Sequence, residues 1–309
     1  MNIVFSEPIG LPAQLREGFE RRMAEQGHTV VFYDTLTADP EQLAARVEPA
    51  DVLVLANQPL PAAAVERAQR LRLIAVAFTG TDHLPLQLCS QRGIAVLNAA
   101  GYSTHAVAEL TMAAAIDLLR RVVPLDAATR SGGSRNGFLG RELHGRTFGI
   151  LGLGAIGQRV AALAQAFGCR VLAHNRTARP CDGVQLVQLR ELFAQSDVLS
   201  LHIPSTPQTQ GLVGAELIGL MRPNAVLINT ARGAIVDSSA LAQALHEGRI
   251  AGAALDVYEQ EPPLPASHPL LNAPKTLMLP HIGFATEEAI ARRAQIVIGN
   301  IETWLASAR

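Results

Sequence analysis

The sequence predicts an α/β fold in which parallel sheets are covered by helices on both faces. Short apolar runs, typical of buried parallel strands, alternate along the chain with longer segments whose apolar residues recur at helical spacing. A glycine-rich turn, Gly152-Leu153-Gly154-Ala155-Ile156-Gly157, lies near the middle of the 309 residues, between a predicted strand and a predicted helix. Strands and helices that alternate in this way form parallel sheets.

The first hundred residues already contain enough alternating segments for one complete sheet. Each apolar run is four to six residues long and is followed by a helical pattern or a turn signal. The predicted strands are residues 2–6, 29–33, 52–56, 73–78 and 94–97, and the predicted helices are residues 12–26, 40–47 and 61–68.

A second sheet is predicted from the rest of the chain. A long helix runs from Val107 to Leu119 with Ser103 or Thr104 as its N-cap, and a polar, glycine-rich loop follows at residues 131–137. The last helix, residues 287–305, has no place in this second sheet and is expected to return to the first. The further predicted strands are residues 147–151, 169–173, 198–202, 225–229, 252–256 and 276–279.

The glycine turn indicates a dinucleotide site, because it lies in a strand-turn-helix-strand unit of about 30 residues. In such a unit Gly152 permits the tight turn, Gly154 lets a pyrophosphate approach the backbone, and Gly157 lets the helix pack closely on the strand. The N–H groups at the helix start, around Ala155 and Ile156, are offered to the phosphates. The alternative is a glycine-rich turn with no ligand, which the flanking strands and helix disfavour.

The far end of this unit indicates which dinucleotide binds. An Asp or Glu that binds the adenosine ribose normally stands about 20 residues past the glycines, but Asn175-Arg176-Thr177 stands there instead. A carboxylate would repel a 2′-phosphate, whereas Arg176 can bind it through two hydrogen bonds, and Asn175 and Thr177 can donate further ones. We therefore predict NADP(H), with NAD(H) still possible because Arg176 can equally be one of many surface arginines.

Three later strand ends carry the residues predicted to do the chemistry. Arg232, Glu261 and His281 each follow a predicted strand, and the carboxyl ends of parallel strands line the ligand crevice. An arginine binds a carboxylate, a histidine exchanges a hydroxyl proton, and a neighbouring acid fixes the histidine tautomer. Singly, each residue has an ordinary structural explanation. Jointly, they predict hydride transfer to a small 2-keto acid.

Composition narrows the class of protein. The net charge is −1 and the basic residues are scattered, which predicts neither a nucleic-acid partner nor a membrane partner. Three cysteines are too few and too irregularly spaced for a disulfide framework or a zinc site, so no metal is expected. The chain starts directly on a predicted strand and has no apolar run of membrane-spanning length. We expect a cytoplasmic protein.

The chain resembles the D-isomer-specific 2-hydroxyacid dehydrogenases, most strongly over residues 148–285. By this resemblance Arg232 binds and polarises the substrate, His281 is the general acid/base, and Glu261, directly before a proline, is the partner of His281. Glu259 is the nearby competitor for that last role. The matching segments are the glycine turn, Ser196-Asp197-Val198, His202-Ile203-Pro204, Leu227-Ile228-Asn229-Thr230-Ala231-Arg232-Gly233, Ala254-Leu255-Asp256-Val257-Tyr258 and Leu279-Pro280-His281-Ile282-Gly283.

The resemblance implies further contacts. Asp256 would contact the nicotinamide carboxamide, and the loop Phe78-Thr79-Gly80-Thr81-Asp82 would hold the substrate carboxylate through its backbone N–H groups, including those of Thr79 and Gly80. The remaining residues expected to line the cofactor are His202, Ile203, Pro204, Thr230, Ala231 and Gly283.

The resemblance also implies two doubly wound, Rossmann-like domains and a homodimer. Residues 1–98 and 285–309 would form the substrate domain, with the dinucleotide-binding domain, residues 99–284, inserted in it. The segment Asn98-Ala99-Ala100-Gly101-Tyr102-Ser103-Thr104 is most similar to members that act on glyoxylate, hydroxypyruvate and glycerate. We predict an NADP(H)-preferring reductase that forms D-2-hydroxy acids. The alternatives are an NAD-dependent D-2-hydroxyacid or phosphite dehydrogenase, and a non-enzymatic dinucleotide-sensing protein.

Overall fold

A computed structural model describes residues 1–177 and 180–307 of the chain. The last two residues of the predicted substrate domain therefore lie outside the described residues. The chain divides into two compact units. The first comprises Met1–Ser103 and the chain from Thr286 onward, and the second comprises Thr104–Ala285.

The described residues of the first unit form a parallel five-stranded sheet with the order β2-β1-β3-β4-β5. The chain winds outward from β1 to β2, then reverses to β3, so helices cover both faces. The strands are β1 (Asn2–Phe5), β2 (Thr29–Phe32), β3 (Val52–Leu55), β4 (Leu73–Val76) and β5 (Ala95–Asn98), and the helices are α1 (Ala13–Glu25), α2 (Pro40–Val47), α3 (Ala62–Arg67) and α4 (Leu86–Gln91).

The described residues of the second unit form a parallel seven-stranded sheet with the order β12-β11-β10-β9-β6-β7-β8. Its strands are β6 (Thr147–Leu151), β7 (Arg170–His174), β8 (Val184–Leu186), β9 (Val198–Leu201), β10 (Val226–Asn229), β11 (Gly252–Leu255) and β12 (Thr276–Met278). Its helices are α5 (Thr104–Arg120), α6 (Val122–Arg130), α7 (Ala155–Ala166), α8 (Leu189–Gln195), α9 (Ala215–Ile218) and α10 (Ser238–His246), with 3-10 turns at Gly233–Ile235 and Pro269–Asn272.

Successive strand residues in the second unit bury opposite faces of the sheet, which produces two separate cores. Phe148 and Ile150 belong to the core that also contains buried residues of α5 and α7. Leu151 and Leu199 belong to the other core, with residues of α8, α9 and α10. Both doubly wound sheets confirm the predicted fold class. The strand order reverses at β6, because β7 lies on one side of it and β9 on the other. The loop after β6 therefore lies at the point where dinucleotides bind in such sheets.

The last helix, α11 (Glu287–Ser307), packs within the first unit. The Asn300 side-chain amide donates to the carbonyl oxygen of Asn98 at 3.0 Å, and Glu302 accepts from Arg22 of α1. The guanidinium of Arg72 lies 5.3 Å from the ring centroid of Trp304, which is the single tryptophan of the sequence.

The first unit extends to Ser103, beyond the predicted end at residue 98. Two hydrogen bonds explain the difference. The N–H of Ala99 donates to the carbonyl oxygen of Phe78 at 3.0 Å, and the Arg292 guanidinium in α11 donates to the Tyr102 carbonyl oxygen at 3.0 Å. These bonds keep the chain on the first sheet until α5 begins.

Six elements were not predicted: α4, α6, α8, α9, α10 and the edge strand β8. The most informative is α6, which follows α5 after Arg121. That residue has a left-handed backbone with φ of 52°, which ends one helix and starts the next. None of the residues in α6 is buried. A short helix without a buried face has no apolar periodicity to reveal it. Within the described ranges, no helix is both long and apolar enough to cross a membrane.

Candidate active site

The glycine turn closes tightly between the ends of β6, β7 and β9. Gly152 has a φ of 102°, a conformation that favours glycine, and its N–H donates to the carbonyl oxygen of His174 at 2.9 Å. A Cβ built on Gly152 would stand 2.6 Å from the carbonyl oxygen of His202 and 2.9 Å from Ile203 Cγ2. Gly152 therefore does what the motif predicts, and it brings His202 and Ile203 against the turn.

The start of α7 fits a phosphate-bearing ligand. Gly154 is the N-cap residue and is exposed, and no side chain of the described residues caps this helix end. A Cβ on Gly154 would meet no described atom within 4 Å, so packing inside the protein does not require a glycine there. A Cβ on Gly157, by contrast, would collide with the carbonyl oxygen of Gly152. The helix start thus offers N–H groups and the space for a pyrophosphate to approach them.

The segment after β7 is ordered by Asn175. Its side-chain oxygen accepts the N–H of Leu153 at 3.1 Å, and its amide nitrogen donates to the carbonyl oxygen of Thr177 at 2.6 Å. Arg176 and Thr177 are exposed. Asn175 therefore braces the glycine turn against this segment, and Arg176 is the cationic residue that it presents to solvent.

His202 and its neighbours follow β9 directly. The N–H of His202 donates to the carbonyl oxygen of Leu151 at 2.7 Å, and its Nε2 lies 3.0 Å from the hydroxyl of Ser200. Burial lowers the pKa of His202 to about 4, so its imidazole is neutral at pH 7. Pro204 is exposed. His202 thus contributes a polar but uncharged group beside the turn.

Asn229, at the end of β10, shapes the loop that carries Arg232. Its buried amide donates from Nδ2 to the carbonyl oxygen of Arg232 at 2.9 Å, while its Oδ1 accepts the N–H of Ala231 at 3.0 Å. The hydroxyl of Thr230 lies 3.2 Å from that of Thr111 in α5. Arg232 itself is half-buried and donates to the carbonyl oxygen of Ala231 at 2.8 Å. Asn229 therefore holds the main chain of Arg232, and the guanidinium bonds to the carbonyl of the preceding residue.

His281 and Glu261 lie together. The Nδ1 of His281 is 3.1 Å from the Oε1 of Glu261, and the second oxygen of Glu261 is buried. Glu259, the competitor considered from sequence, lies instead 3.4 Å from the Nε2 of His268. The loop after β11 therefore supplies the glutamates of two separate His–Glu pairs, and the pair formed with His281, which follows β12, uses Glu261.

Asp256 holds the loop that carries His281. Its two carboxylate oxygens accept the N–H groups of Ile282 and Gly283, both at 2.7 Å, and the side chain is almost completely buried. Burial raises the pKa of the Asp256 carboxyl, while those two hydrogen bonds oppose the rise. A Cβ on Gly283 would stand 2.9 Å from an Asp256 oxygen, which explains the glycine.

The main chain of His281 is in the left-handed region, with φ of 56°. A residue with a Cβ pays about 1–3 kcal/mol for such a conformation, so the surrounding contacts must hold it. The two hydrogen bonds from Ile282 and Gly283 to Asp256 supply that hold immediately after His281. The backbone conformation and the contact with Glu261 consequently both orient the imidazole of His281. Strain of this kind is concentrated at functional sites.

Sequence reasoning missed two residues that order this site. The sequence does not single out Asn229 for the site, although an Asn at a strand end whose amide bonds the following backbone is a recognisable turn signal. Tyr258 is not predicted for the site either, and its hydroxyl donates to the carbonyl oxygens of Leu255, which ends β11, and Leu279, which follows β12. The described residues contain no group of three or more His, Cys, Asp or Glu side chains placed to hold a metal ion.

The predicted substrate loop is part of the first unit, after β4. The carbonyl oxygen of Phe78 accepts the N–H of Ala99, and that of Thr79 accepts the side-chain amide of Asn98 at 2.7 Å. Thr79 is exposed and Gly80 is half-buried. The peptide planes of this loop are thus fixed by β5 and the residue after it, while the role of Thr79 and Gly80 in binding substrate stays a prediction.

Known proteins resemble this chain over nearly its full length. A family model described as D-isomer-specific 2-hydroxyacid dehydrogenase, NAD-binding domain, matches residues 112–283. The glyoxylate reductase of Thermococcus litoralis is 38% identical over 302 residues, covering 91% of each chain. A solved protein from Thermus thermophilus superposes with a TM-score of 0.89 at 37% identity, covering 99% of this chain and 97% of the other.

The structure of a third relative contains bound ligands. It is the NADPH-dependent glyoxylate/hydroxypyruvate reductase of Sinorhizobium meliloti in complex with NADP and malonate, which superposes with a TM-score of 0.85 at 28% identity over 98% of this chain and 93% of that one. The family model spans more than half of the chain, and the Thermococcus relative exceeds 30% identity over most of it. This chain therefore belongs to the D-isomer-specific 2-hydroxyacid dehydrogenase family and is an oxidoreductase with a nicotinamide dinucleotide site.

Proposed function

We propose that this protein is an NADP(H)-preferring reductase of small 2-keto acids such as glyoxylate and hydroxypyruvate, and that its product is the D-2-hydroxy acid wherever the product is chiral. The observation that carries the proposal is the 3.1 Å contact between His281 and Glu261 at the strand ends that follow the glycine turn. A reduced nicotinamide dinucleotide, when bound, supplies a hydride. The residues of the chain must supply the proton and hold the substrate.

His281 is proposed as the proton donor. A carboxylate only accepts hydrogen bonds, so the Nδ1 of His281 carries a proton in its contact with Glu261. The other ring nitrogen, Nε2, is then the atom that exchanges its proton. In the reducing direction the imidazolium donates from Nε2 to the substrate carbonyl oxygen, and in the oxidising direction the neutral ring accepts the hydroxyl proton.

Arg232 and the Thr79-Gly80 loop are proposed to bind the substrate. A guanidinium can hold a carboxylate through two parallel hydrogen bonds and draw charge from the adjacent carbonyl. The peptide N–H groups of Thr79 and Gly80 suit the same anion. Small keto acids offer this carboxylate next to the carbonyl, which is the chemistry shared by glyoxylate and hydroxypyruvate.

The preference for NADP(H) is supported by the segment after β7. The three residues Asn175, Arg176 and Thr177 carry no carboxylate to repel a 2′-phosphate, and Arg176 is exposed. The side-chain amide of Asn175 already donates to Thr177, so Arg176 is the principal phosphate ligand in this proposal. The relative from Sinorhizobium meliloti was solved with NADP.

Steady-state kinetics test reaction and cofactor together. NADPH and NADH are each assayed with glyoxylate, hydroxypyruvate and pyruvate, and NADP+ and NAD+ are each assayed with D-glycerate and, separately, with phosphite. We expect the highest kcat/KM with NADPH and glyoxylate or hydroxypyruvate. Protein that oxidises neither dinucleotide with any keto acid would contradict the proposal, and reduction of the dinucleotide by phosphite alone would support the phosphite alternative.

Arg176→Ala tests the cofactor preference separately. A hydrogen bond to a charged group is worth about 1.5–3 kcal/mol, so the KM for NADPH should rise about 10- to 100-fold while that for NADH stays nearly constant. Arg170→Ala is the matched control, because Arg170 begins β7, the strand that precedes Arg176, and its guanidinium bonds to Gln185 and Gln195. Equal effects of Arg176→Ala on both cofactors would exclude a role in selecting the 2′-phosphate.

We further propose that the protein is a homodimer. Support comes from α6, in which no residue is buried, and from the exposure of Val122, Val123 and Leu139. A helix of this length is marginal in water without a packed face, so a second surface is needed to cover it. Analytical ultracentrifugation of the wild type and of Val123→Glu tests this. We expect a dimer that the substitution dissociates, and a wild-type monomer would refute it.

A further inference from the structure

Tyr258 connects two strand ends of the second unit through its hydroxyl. The side chain is almost completely buried, and its hydroxyl oxygen lies 3.1 Å from the carbonyl oxygens of both Leu255 and Leu279. Leu255 ends β11 and directly precedes Asp256, whereas Leu279 follows β12 and stands two residues before His281. One phenolic proton is therefore shared between the two main-chain segments that carry Asp256 and His281.

The backbone of Tyr258 supports a third segment. A Cβ built on Gly233 would collide with the carbonyl group of Tyr258, so the chain immediately after Arg232 lies directly on that peptide. Gly233 is itself buried. Any movement of the Tyr258 backbone is consequently transmitted to the loop that presents Arg232.

The ring of Tyr258 fixes the loop that carries Glu261. It packs edge-on against the imidazole of His268, with ring centroids 6.0 Å apart and planes at 90°. His268 in turn bonds to Glu259 and accepts the N–H of Leu270 at its Nδ1. Glu261 lies between these two anchored residues, Tyr258 and His268. The contact between Tyr258 and His268 therefore ties together the two ends of the segment that contains Glu261.

We propose that Tyr258 is a positioning residue for proton transfer, whose hydroxyl holds the end of β11, from which the loop of Glu261 starts, and the chain that leads from β12 to His281 at the separation that the reaction needs. This inference rests on the proposed function. Burial raises the pKa of Tyr258 to about 12, so the phenol keeps its proton throughout the working range of pH. Without the hydroxyl, the carbonyl oxygen of Leu255 still accepts the N–H of Leu279 at 2.9 Å, but the Leu279 carbonyl loses its bond to Tyr258.

Tyr258→Phe removes this hydroxyl and leaves the ring in place. Because a displacement of about 1 Å in a reacting group costs about 100-fold in rate, we expect a partial loosening to lower kcat about tenfold. The KM for glyoxylate, the NADPH dissociation constant measured by fluorescence, and the melting temperature should change little. Tyr33→Phe is the matched control, since Tyr33 belongs to the first unit and stacks under Arg46. An unchanged kcat in Tyr258→Phe would overturn the inference.

A double-mutant cycle separates positioning from a general structural effect. Glu261→Gln and Tyr258→Phe are measured singly and together. If Tyr258 acts through the Glu261–His281 contact, the loss in kcat for the double variant is smaller than the product of the single losses. Multiplicative losses, or a Tyr258→Phe variant that loses NADPH binding with activity, would overturn the role. A wild type that reduces no keto acid would instead overturn the proposed function, and this inference with it.

Discussion

The two sheets place charged side chains at their carboxyl edges in different ways, and the first unit uses them to hold its main chain. One oxygen of the buried Glu7, after β1, accepts the N–H groups of Ala56 at 2.7 Å and Gln58 at 3.1 Å. The guanidinium of the buried Arg293 in α11 donates to the carbonyl oxygen of Ile9 at 2.6 Å. The Glu7 carboxylate and the Arg293 guanidinium thus both bond to main-chain groups of the first unit.

At the carboxyl edge of the second sheet, one side-chain amide and one buried carboxylate hold the loops. Asn229 fixes the loop of Arg232, and Asp256 fixes the loop of His281. His281 and Glu261 can therefore pair with each other. In the first unit both of these charged side chains bond to the main chain. In the second unit Asp256 does the same, while His281 and Glu261 lie against each other.

Removing the imidazole of His281 should give the largest effect on kcat. We expect His281→Ala to lower kcat about 10²- to 10⁴-fold, because a positioned general acid contributes rate acceleration of that order. The NADPH dissociation constant and the melting temperature should stay close to those of the wild type. Steady-state kinetics, fluorescence titration and calorimetry measure the three quantities. His268→Ala, from the neighbouring His–Glu pair, is the control, and an equal loss in that variant would break the distinction between the pairs.

Glu261→Gln should have the next largest effect. It replaces a charge-assisted hydrogen bond worth about 1.5–3 kcal/mol, so kcat should fall about 10- to 100-fold. Glu259→Gln is the matched substitution in the same loop and should leave kcat within about twofold, because Glu259 pairs with His268. If Glu259→Gln proved the more damaging change, the assignment of the partner acid would be reversed.

Asn229→Ala should affect both activity and stability. It leaves the N–H of Ala231 and the carbonyl of Arg232 without their partner, which costs about 1–3 kcal/mol for buried groups. The KM for glyoxylate should rise because Arg232 loses its fixed direction. Denaturant unfolding and kinetics measure the two effects, with Asn224→Ala as the exposed control. Lost stability with an unchanged KM would show that the loop keeps its shape without Asn229.

Glu7→Gln should alter stability without altering kcat. Burial raises the pKa of Glu7 above its ordinary value of 4.5, opposed by the N–H groups of Ala56 and Gln58 and by Arg293. The folded state therefore binds this proton more tightly than the unfolded state, so stability is lost as the pH rises through the folded-state pKa. Gln does not titrate.

The melting temperature of Glu7→Gln should accordingly rise relative to that of the wild type as the pH is raised from about 4 to 7. Differential scanning calorimetry at several pH values measures the difference, and Glu66→Gln, on the exposed face of α3, is the control. A difference between Glu7→Gln and the wild type that is independent of pH would show that Glu7 does not titrate in this range.

Sequence alone predicted what local chemistry determines. The roles of Gly152 and Gly157 follow from backbone geometry within one turn and its helix, and the strand ends that carry Arg232 and His281 follow from short apolar runs. The hydroxyl of Tyr258 was beyond prediction because it bonds to Leu279, a residue far along the chain whose proximity depends on the pairing of β11 with β12. The helix α6 was missed because it buries nothing within its own unit.

The lone tryptophan gives the first unit a spectroscopic signature of its own. Trp304 lies in α11 beside Arg72, so intrinsic tryptophan emission reports on the first unit only. Both units contain helices, so far-ultraviolet circular dichroism reports on both of them. Unfolding followed by tryptophan emission and by circular dichroism therefore shows whether the first unit melts with the rest of the molecule or separately.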